Sequence, residues 1–224
     1  MRKVYKIMLI IFITLIILLG LYYVQYPIRV DRVSLEMEIQ DFEPEKDITV
    51  QNVKIIDNKI LALYTYSDGM GYATFNKGFN GRCLLVSTNN INGNSFLIGF
   101  IDTNKDNYKI FAGKNYDNKI KSVEFIAAKE KNFVADISKE NYYILPISDP
   151  TGEFSFLDFA LYDENGKNIK QEIVSKYFSK NSGEYAKSKV ELAFFNLWYV
   201  LVTLVSGNAI YFECRTNKKN SIEM

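Results

Sequence analysis

The chain has 224 residues, with 27 basic and 26 acidic side chains, a formal net charge of +1 and no histidine. Near-neutrality removes the main electrostatic term for nucleic-acid binding, and no basic patch offsets it, so we expect no nucleic-acid partner. The lack of histidine removes the commonest general base, the usual Ser and Cys triads and the commonest zinc ligand.

Ile7 to Val24 are eighteen consecutive uncharged positions, with Thr14 as the one polar side chain. At about 1.5 Å per residue such a run crosses a bilayer core. It exceeds a signal-peptide core, and Tyr22-Tyr23-Val24-Gln25-Tyr26-Pro27 offers no small-residue cleavage pattern. The tyrosines instead fit an interfacial belt. Arg2, Lys3 and Lys6 precede the run, which predicts a cytoplasmic segment over 1–6, a retained transmembrane helix over 7–24, and an outer domain beyond.

From 25 to 170 we expect an all-β extracytoplasmic domain. Its fold class is mainly β: one β-sandwich-like domain of about ten short antiparallel strands. Turn signals recur at Asp57-Asn58, Ser67-Asp68-Gly69, Asn80-Gly81, Asn92-Gly93, Lys105-Asp106-Asn107, Asp117-Asn118, Lys129-Glu130-Lys131, Lys139-Glu140-Asn141, Asp149-Pro150-Thr151-Gly152 and Glu164-Asn165-Gly166. Asn-Gly supplies the positive φ of tight hairpins. The runs between them are short and rich in Ile, Val, Phe, Tyr and Leu, as sandwich or barrel strands are. Ile60–Tyr64 and Phe96–Ile101 are apolar on both faces and should be central; 119–125 alternates and should be half-exposed or nearer an edge. Leu161 to Ile169 resembles the closing hairpin of bacterial immunoglobulin-like modules.

Residues 171–191 read as an amphipathic helix and connector, with Ile173, Val174, Tyr177 and Phe178 at helical spacing. A second apolar run, 192–212, carries no charge and precedes Arg215, Lys218 and Lys219 in a basic tail over 213–224. Both flanks predict an in–out–in topology with both termini cytoplasmic in the plasma membrane. The competing reading places 192–212 inside the outer domain. Asn196 and Asn208 interrupt the run and would each seek a hydrogen-bond partner in lipid, so they are the candidate polar contacts of the membrane helices.

Two cysteines, Cys83 and Cys214, lie on opposite sides of the membrane in the two-span topology and could pair only in a one-span protein. Lysine outnumbers arginine 22 to 5, there are 21 asparagines, and none sits in an Asn-x-Ser/Thr sequon. That composition favours a bacterial protein. On anchor, composition and its Asn-Gly-punctuated β segment, the whole chain resembles small membrane-anchored proteins of low-GC Gram-positive bacteria. That resemblance implies no active site.

No catalytic residue, metal ligand or cofactor site is expected. Asp102 to Asn107 spaces its oxygen side chains as a calcium loop does, but lacks the glycine and the closing glutamate, and reads as a turn. Gly69-Met70-Gly71-Tyr72 runs on into a strand, so it is no phosphate loop. No Ser-x-x-Lys occurs, and Asp68, Asp158 and Glu124 have only apolar neighbours to single them out. Tyr66, Tyr72, Phe75 and Phe79 form a candidate aromatic face for a sugar or peptide, against the alternative of core packing. The leading expectation is a membrane-anchored, non-catalytic binding or accessory protein whose partner is a membrane protein or a cell-wall component. The alternatives are a wall hydrolase working through carboxylates and a sensor- or immunity-type membrane subunit.

Overall fold

The computed structural model describes residues 2–67, 69–92, 96–127, 132–137, 139–148, 156–177, 184–188 and 192–220. The turns expected at Asp68, Gly93, 129–131 and 149–152, and Phe178 of the expected apolar stripe, lie outside these residues. The chain divides into two compact units, residues 28–188 and the two terminal segments.

The terminal unit is a helix pair. α1 (Arg2–Gln25) and α4 (Leu192–Asn220) each contain a stretch long and apolar enough to cross a membrane, Val4–Gln25 and Phe194–Phe212. Neither stretch is buried, so neither is the core helix of a globular domain. α4 is therefore a separate helix and not part of the β domain. The helices pack antiparallel along two stripes of half-buried residues: Ile7, Ile10, Thr14, Leu18 and Leu21 on α1, and Phe195, Tyr199, Val202, Ser206 and Ile210 on α4. The Thr14 hydroxyl donates to Ser206 Oγ at 2.8 Å, and Ser206 donates to its own helix at the Val202 carbonyl. Near the other end, the Tyr199 hydroxyl donates to Gln25 Oε1 at 2.9 Å, and Gln25 is buried.

The second unit is mainly antiparallel β. Twelve strands are described, numbered in chain order: β1 (Ile28–Arg29), β2 (Thr49–Ile56), β3 (Lys59–Tyr66), β4 (Gly69–Lys77), β5 (Arg82–Asn92), β6 (Leu97–Asp102), β7 (Asn107–Lys114), β8 (Ser122–Ala127), β9 (Phe133–Asp136), β10 (Tyr142–Ser148), β11 (Phe156–Tyr162) and β12 (Glu184–Ser188). They are spread over three sheets. β2, β3, β4 and β5 form a meander, and β1 and β12 both add to β5. β10-β7-β6 form the second sheet and β11-β8-β9 the third.

Parity along the strands builds three cores. Ile60, Ala62, Tyr64 and Tyr66 of β3 enter one cluster with Leu35 and Ile39, while Leu61 and Leu63 enter another with Leu97, Ile110, Ala112 and Ile144 of the second sheet. Phe111, Tyr143, Leu145 and Ile147 turn the opposite way and pack with Val123, Phe125 and Leu161 of the third sheet. The inner strands are apolar on both faces because each face meets a different layer.

Two expectations are corrected here. The stretch 25–170 is not all-β: α2 (Arg32–Phe42) buries Leu35 and Ile39, four apart, against the first sheet. Its signal is local, since Asp31 caps it by accepting from the Ser34 backbone N–H at 2.9 Å and from the Ser34 hydroxyl. Phe96–Ile101 is not central either. β6 is an edge strand that alternates buried Leu97, Gly99 and Ile101 with exposed Ile98, Phe100 and Asp102. Half of its apolar residues lie outside any core. In contrast, 122–126 is half-exposed and β3 lies between β2 and β4.

Two turns take the expected positive φ at glycine, Gly81 and Gly166. Asp57, Asp117 and Asn118 adopt it without glycine. Asp57 is held there by hydrogen bonds from Thr103 and Tyr108 and an ion pair with Lys105, which tie the β2–β3 turn to the β6–β7 turn. Asp117 accepts likewise from Lys176 and Tyr177. After β11 the chain forms α3 (Lys170–Tyr177), which buries Ile173 in the third core.

Candidate functional site

The four candidate aromatics do not share a face. Tyr66 and Phe75 are buried in the cluster beneath α2, and Tyr72 is buried on the opposite side of the same sheet. The Tyr66 hydroxyl donates to the Ile91 carbonyl at 2.9 Å, and Asn89 donates to the Tyr72 hydroxyl at 3.2 Å. Strand alternation divides them, because neighbours of opposite parity serve different cores. Phe79 alone is exposed, at 78 %, on the β4–β5 turn. The expected aromatic binding face is therefore core for three of its four members.

Asn196 and Asn208 point away from the α1–α4 contact. Both are exposed, and neither side chain has a hydrogen-bond partner among the described residues. The polar contacts between the helices are made by Thr14, Ser206, Gln25 and Tyr199 instead. Sequence reasoning missed Ser206 and Tyr199, although both fall on the same heptad-like stripe.

Among the described residues, the most buried charge is one that the sequence does not single out. Glu43, at the end of α2, is 2 % exposed. One of its carboxylate oxygens accepts from Thr88 at 2.7 Å and Asn90 at 3.1 Å, and the other pairs with Lys46 at 3.1 Å and Lys187 at 2.9 Å. Behind it, the Tyr64 hydroxyl donates to Asn90 Oδ1 at 2.7 Å. Burial pushes the Glu43 pKa up, but the bonds from Thr88, Lys187 and Lys46 outweigh it and leave the pKa at about 2. So acidic a carboxyl, with both oxygens engaged, is a poor proton acceptor near neutrality.

Two of the carboxylates weighed in the sequence are engaged at the surface. Asp158 pairs with Lys170, and Glu124 accepts from Tyr162 and Asn132. Asp68 lies outside the described residues. A cleft of about 430 Å³ is lined by Asn118, Lys119, Asp163, Glu164, Lys167 and Glu172. There Glu172 pairs with Lys119, and Asp163 accepts the backbone N–H groups of Asn165 and Lys167 in its own turn. Among the described residues, no group of three or more acidic or thiol side chains could hold a metal ion. The loop 102–107 closes on itself, with Thr103 receiving the Lys105 and Asp106 N–H groups.

What remains open is β6. The other sheet edges are blunted in ways that usually prevent strand addition. β2 carries a bulge at Val50/Asn52, an exposed Lys54, and Glu36 accepting the Val50 N–H at 2.8 Å. β10 has Pro146, and its Tyr142 carbonyl accepts from Asn52 at 2.6 Å. β11 has a bulge and bridges to Asn168. β9 has four residues, β1 two, and β12 carries Lys187. β6 has no bulge, proline or lysine, and its outer backbone makes no hydrogen bond to the described residues. Beside that edge, Ile98 is 39 % and Phe100 72 % exposed, with Lys109 Nζ 5.3 Å from the Phe100 ring centre.

No protein-family model, curated protein or solved structure matches the chain.

Proposed function

We propose that the chain is a membrane-anchored, non-catalytic accessory protein that holds its β domain outside the cell and captures an extended segment of a partner protein along β6. The observation that carries this reading is the unguarded edge. A strand added there would gain a ladder of backbone hydrogen bonds, and its alternate side chains would cover Ile98 and Phe100. The committed carboxylates and the proton-poor Glu43 favour binding over hydrolysis. The test is a photo-crosslinking residue placed at Phe100 in living cells, with Ile55 on the guarded β2 edge as control. Light should give a discrete adduct at position 100 and none at 55. Adducts at neither position, or equal adducts at both, would sink the reading.

A second contact is favoured by the exposed amides of Asn196 and Asn208. An amide facing lipid without a partner is costly, and a neighbouring membrane protein would satisfy it. Crosslinkers at 196 and 208, with Val205 as an apolar control, test that contact separately.

A further inference from the structure

The free edge of β6 is made by alternate residues. At the β6–β7 turn the Thr103 N–H donates to the Asp106 carbonyl at 3.0 Å, so 103 and 106 form a hydrogen-bonded pair. Alternation along the register then turns the N–H and C=O of Leu97, Gly99 and Ile101 toward β7. The other side of β7 agrees. There the Asn115 N–H donates to the Asn141 carbonyl at 2.8 Å, which gives β10 the odd-numbered residues of β7 and leaves the even-numbered ones for β6. Ile98, Phe100 and Asp102 therefore present their N–H and C=O groups outward, and Phe100 is at the centre of the set. Leu97 and Ile101 hold β6 in a shared core with Tyr72 of the first sheet, and a Cβ on Gly99 would collide with the Tyr72 hydroxyl. An edge fixed in this way loses little freedom when a strand joins it.

That edge is its own complement. An antiparallel copy that pairs 100 with 100, 98 with 102 and 102 with 98 uses every outward group. A shift by two residues in either direction leaves one of the three residues unpaired on each copy. Residues opposite one another share a face of the sheet, so the two exposed Phe100 rings meet at the two-fold axis as a cross-strand aromatic pair. Lys109 Nζ, 5.3 Å from the Phe100 ring centre, belongs to β7 and flanks that pair from outside. The charges agree with the antiparallel sense. A parallel copy in register would set Asp102 beside Asp102. In the antiparallel pair the two are separated by four residues, about 13 Å, beyond the Debye length of about 8 Å in physiological salt.

We propose that the strand captured along β6 is β6 of a second copy of this chain, in a two-fold antiparallel pair centred on Phe100. The proposal rests on the reading that β6 takes an added strand, and it names that strand. Closure favours a copy over an unrelated segment. The pair merges two three-stranded sheets into one, in the order β10-β7-β6-β6-β7-β10. Both ends of the merged sheet are β10 edges, already blunted by Pro146 and by the bond from Asn52 to the Tyr142 carbonyl. The assembly therefore stops at two copies, and this sheet keeps no open edge to template aggregation.

Disulfide trapping tests the pair and its register. Full-length chains carrying Cys214→Ser and either Ile98→Cys or Asp102→Cys, with different tags, are produced together and oxidised in native membranes with copper phenanthroline. Both positions are exposed, so neither substitution opens a core, and Cys83 is buried. Opposite residues of a hydrogen-bonded antiparallel pair have Cα atoms about 5.5 Å apart, within disulfide reach, whereas like-numbered positions here lie about 13 Å apart. We expect the 98–102 product to exceed the 98–98 and 102–102 products at least about fivefold, and to be lost when both chains also carry Phe100→Lys. Equal yields of the three products, or no disulfide-linked pair, overturn the second copy. If a crosslinker at position 100 then still gives a discrete adduct with a different protein, capture of an extended segment stands without the copy. If it gives no adduct, both fall.

Discussion

Ile28 and Ser188 pair with the same edge of β5, opposite Cys83 and Ser87. Ile28 follows Pro27, just beyond α1, and Ser188 precedes the chain that leads into α4. Both connections to the helix pair therefore leave the β domain from one strand, four residues apart. β5 also carries Thr88 and Asn90, and these bind Glu43 from α2, which in turn holds Lys187 of β12. A single buried carboxylate thus fastens the end of α2 and the second connection, through Lys187, to the strand that both connections share.

Removing that carboxylate should loosen the fastening. Glu43→Ala leaves Thr88 and Asn90 buried without this acceptor and removes the ion pairs to Lys46 and Lys187. We expect a loss of about 3 kcal/mol. Glu43→Gln, which retains some of the hydrogen bonds, should lose less. Thermal unfolding of the full-length protein in detergent, followed by near-ultraviolet circular dichroism, measures both.

The same residue sets a pH dependence. Its folded pKa is about 2, below the ordinary carboxyl value of about 4.3. A group whose pKa falls on folding contributes its full stability above the unfolded value and loses it as pH drops through the folded one. Stability should therefore decline between about pH 4.5 and pH 2, and that part of the decline should be absent in Glu43→Gln. Parallel acid profiles for the two proteins would refute the assignment.

Glu43 also marks where the sequence stops being legible. The two long apolar helices, the glycine turns and the strand-rich middle are all local or compositional signals, and they read through. The Glu43 network joins residues 43, 46, 88, 90 and 187, and no spacing along the chain announces such a meeting. The aromatic candidates failed for a related reason. Tyr66, Tyr72 and Phe75 lie on two strands of the meander, which is covered on both sides, so both parities are interior. β6 misleads in the opposite direction, since its run of apolar residues imitates a central strand and is an open edge.

Tyr143 is fully buried between the second and third sheets, and its hydroxyl has no hydrogen-bond partner among the described residues. An unpaired buried hydroxyl forfeits the hydration it had in the unfolded chain. Tyr143→Phe should therefore leave stability unchanged or raise it by about 1 kcal/mol. Tyr64→Phe is the contrasting case, because its hydroxyl donates to Asn90. It should cost about 1 kcal/mol or more. For this to hold, the denaturant midpoint must fall for Tyr64→Phe and must not fall for Tyr143→Phe.

Gly71 sits where β4 passes close to its neighbours. A Cβ there would lie 2.5 Å from Tyr64 Cζ and 2.7 Å from the Asn89 carbonyl oxygen. Neither can yield easily, since Tyr64 is fully buried and Asn89 is held in the β4–β5 ladder. Gly71→Ala should cost about 1–3 kcal/mol, whereas Gly207→Ala on α4, with open space around it, should be near neutral. Unfolding midpoints of the two variants provide the check.

The cysteines separate topology from fold. Cys83 is fully buried under α2, and burial holds its thiol at about 12, so native protein should not react there with a maleimide at neutral pH. Cys214 is exposed near the end of α4. With two spans and cytoplasmic termini, a membrane-impermeant maleimide should label Cys214 in inverted vesicles and not in intact cells. Denaturant should add one further label, at Cys83, and Cys214→Ser should abolish the native label without affecting that one. Labelling of Cys214 from outside intact cells would place the C-terminus on the same side as the β domain. α4 would then lie along the membrane or beyond it, and the amides of Asn196 and Asn208 would face water rather than a membrane partner.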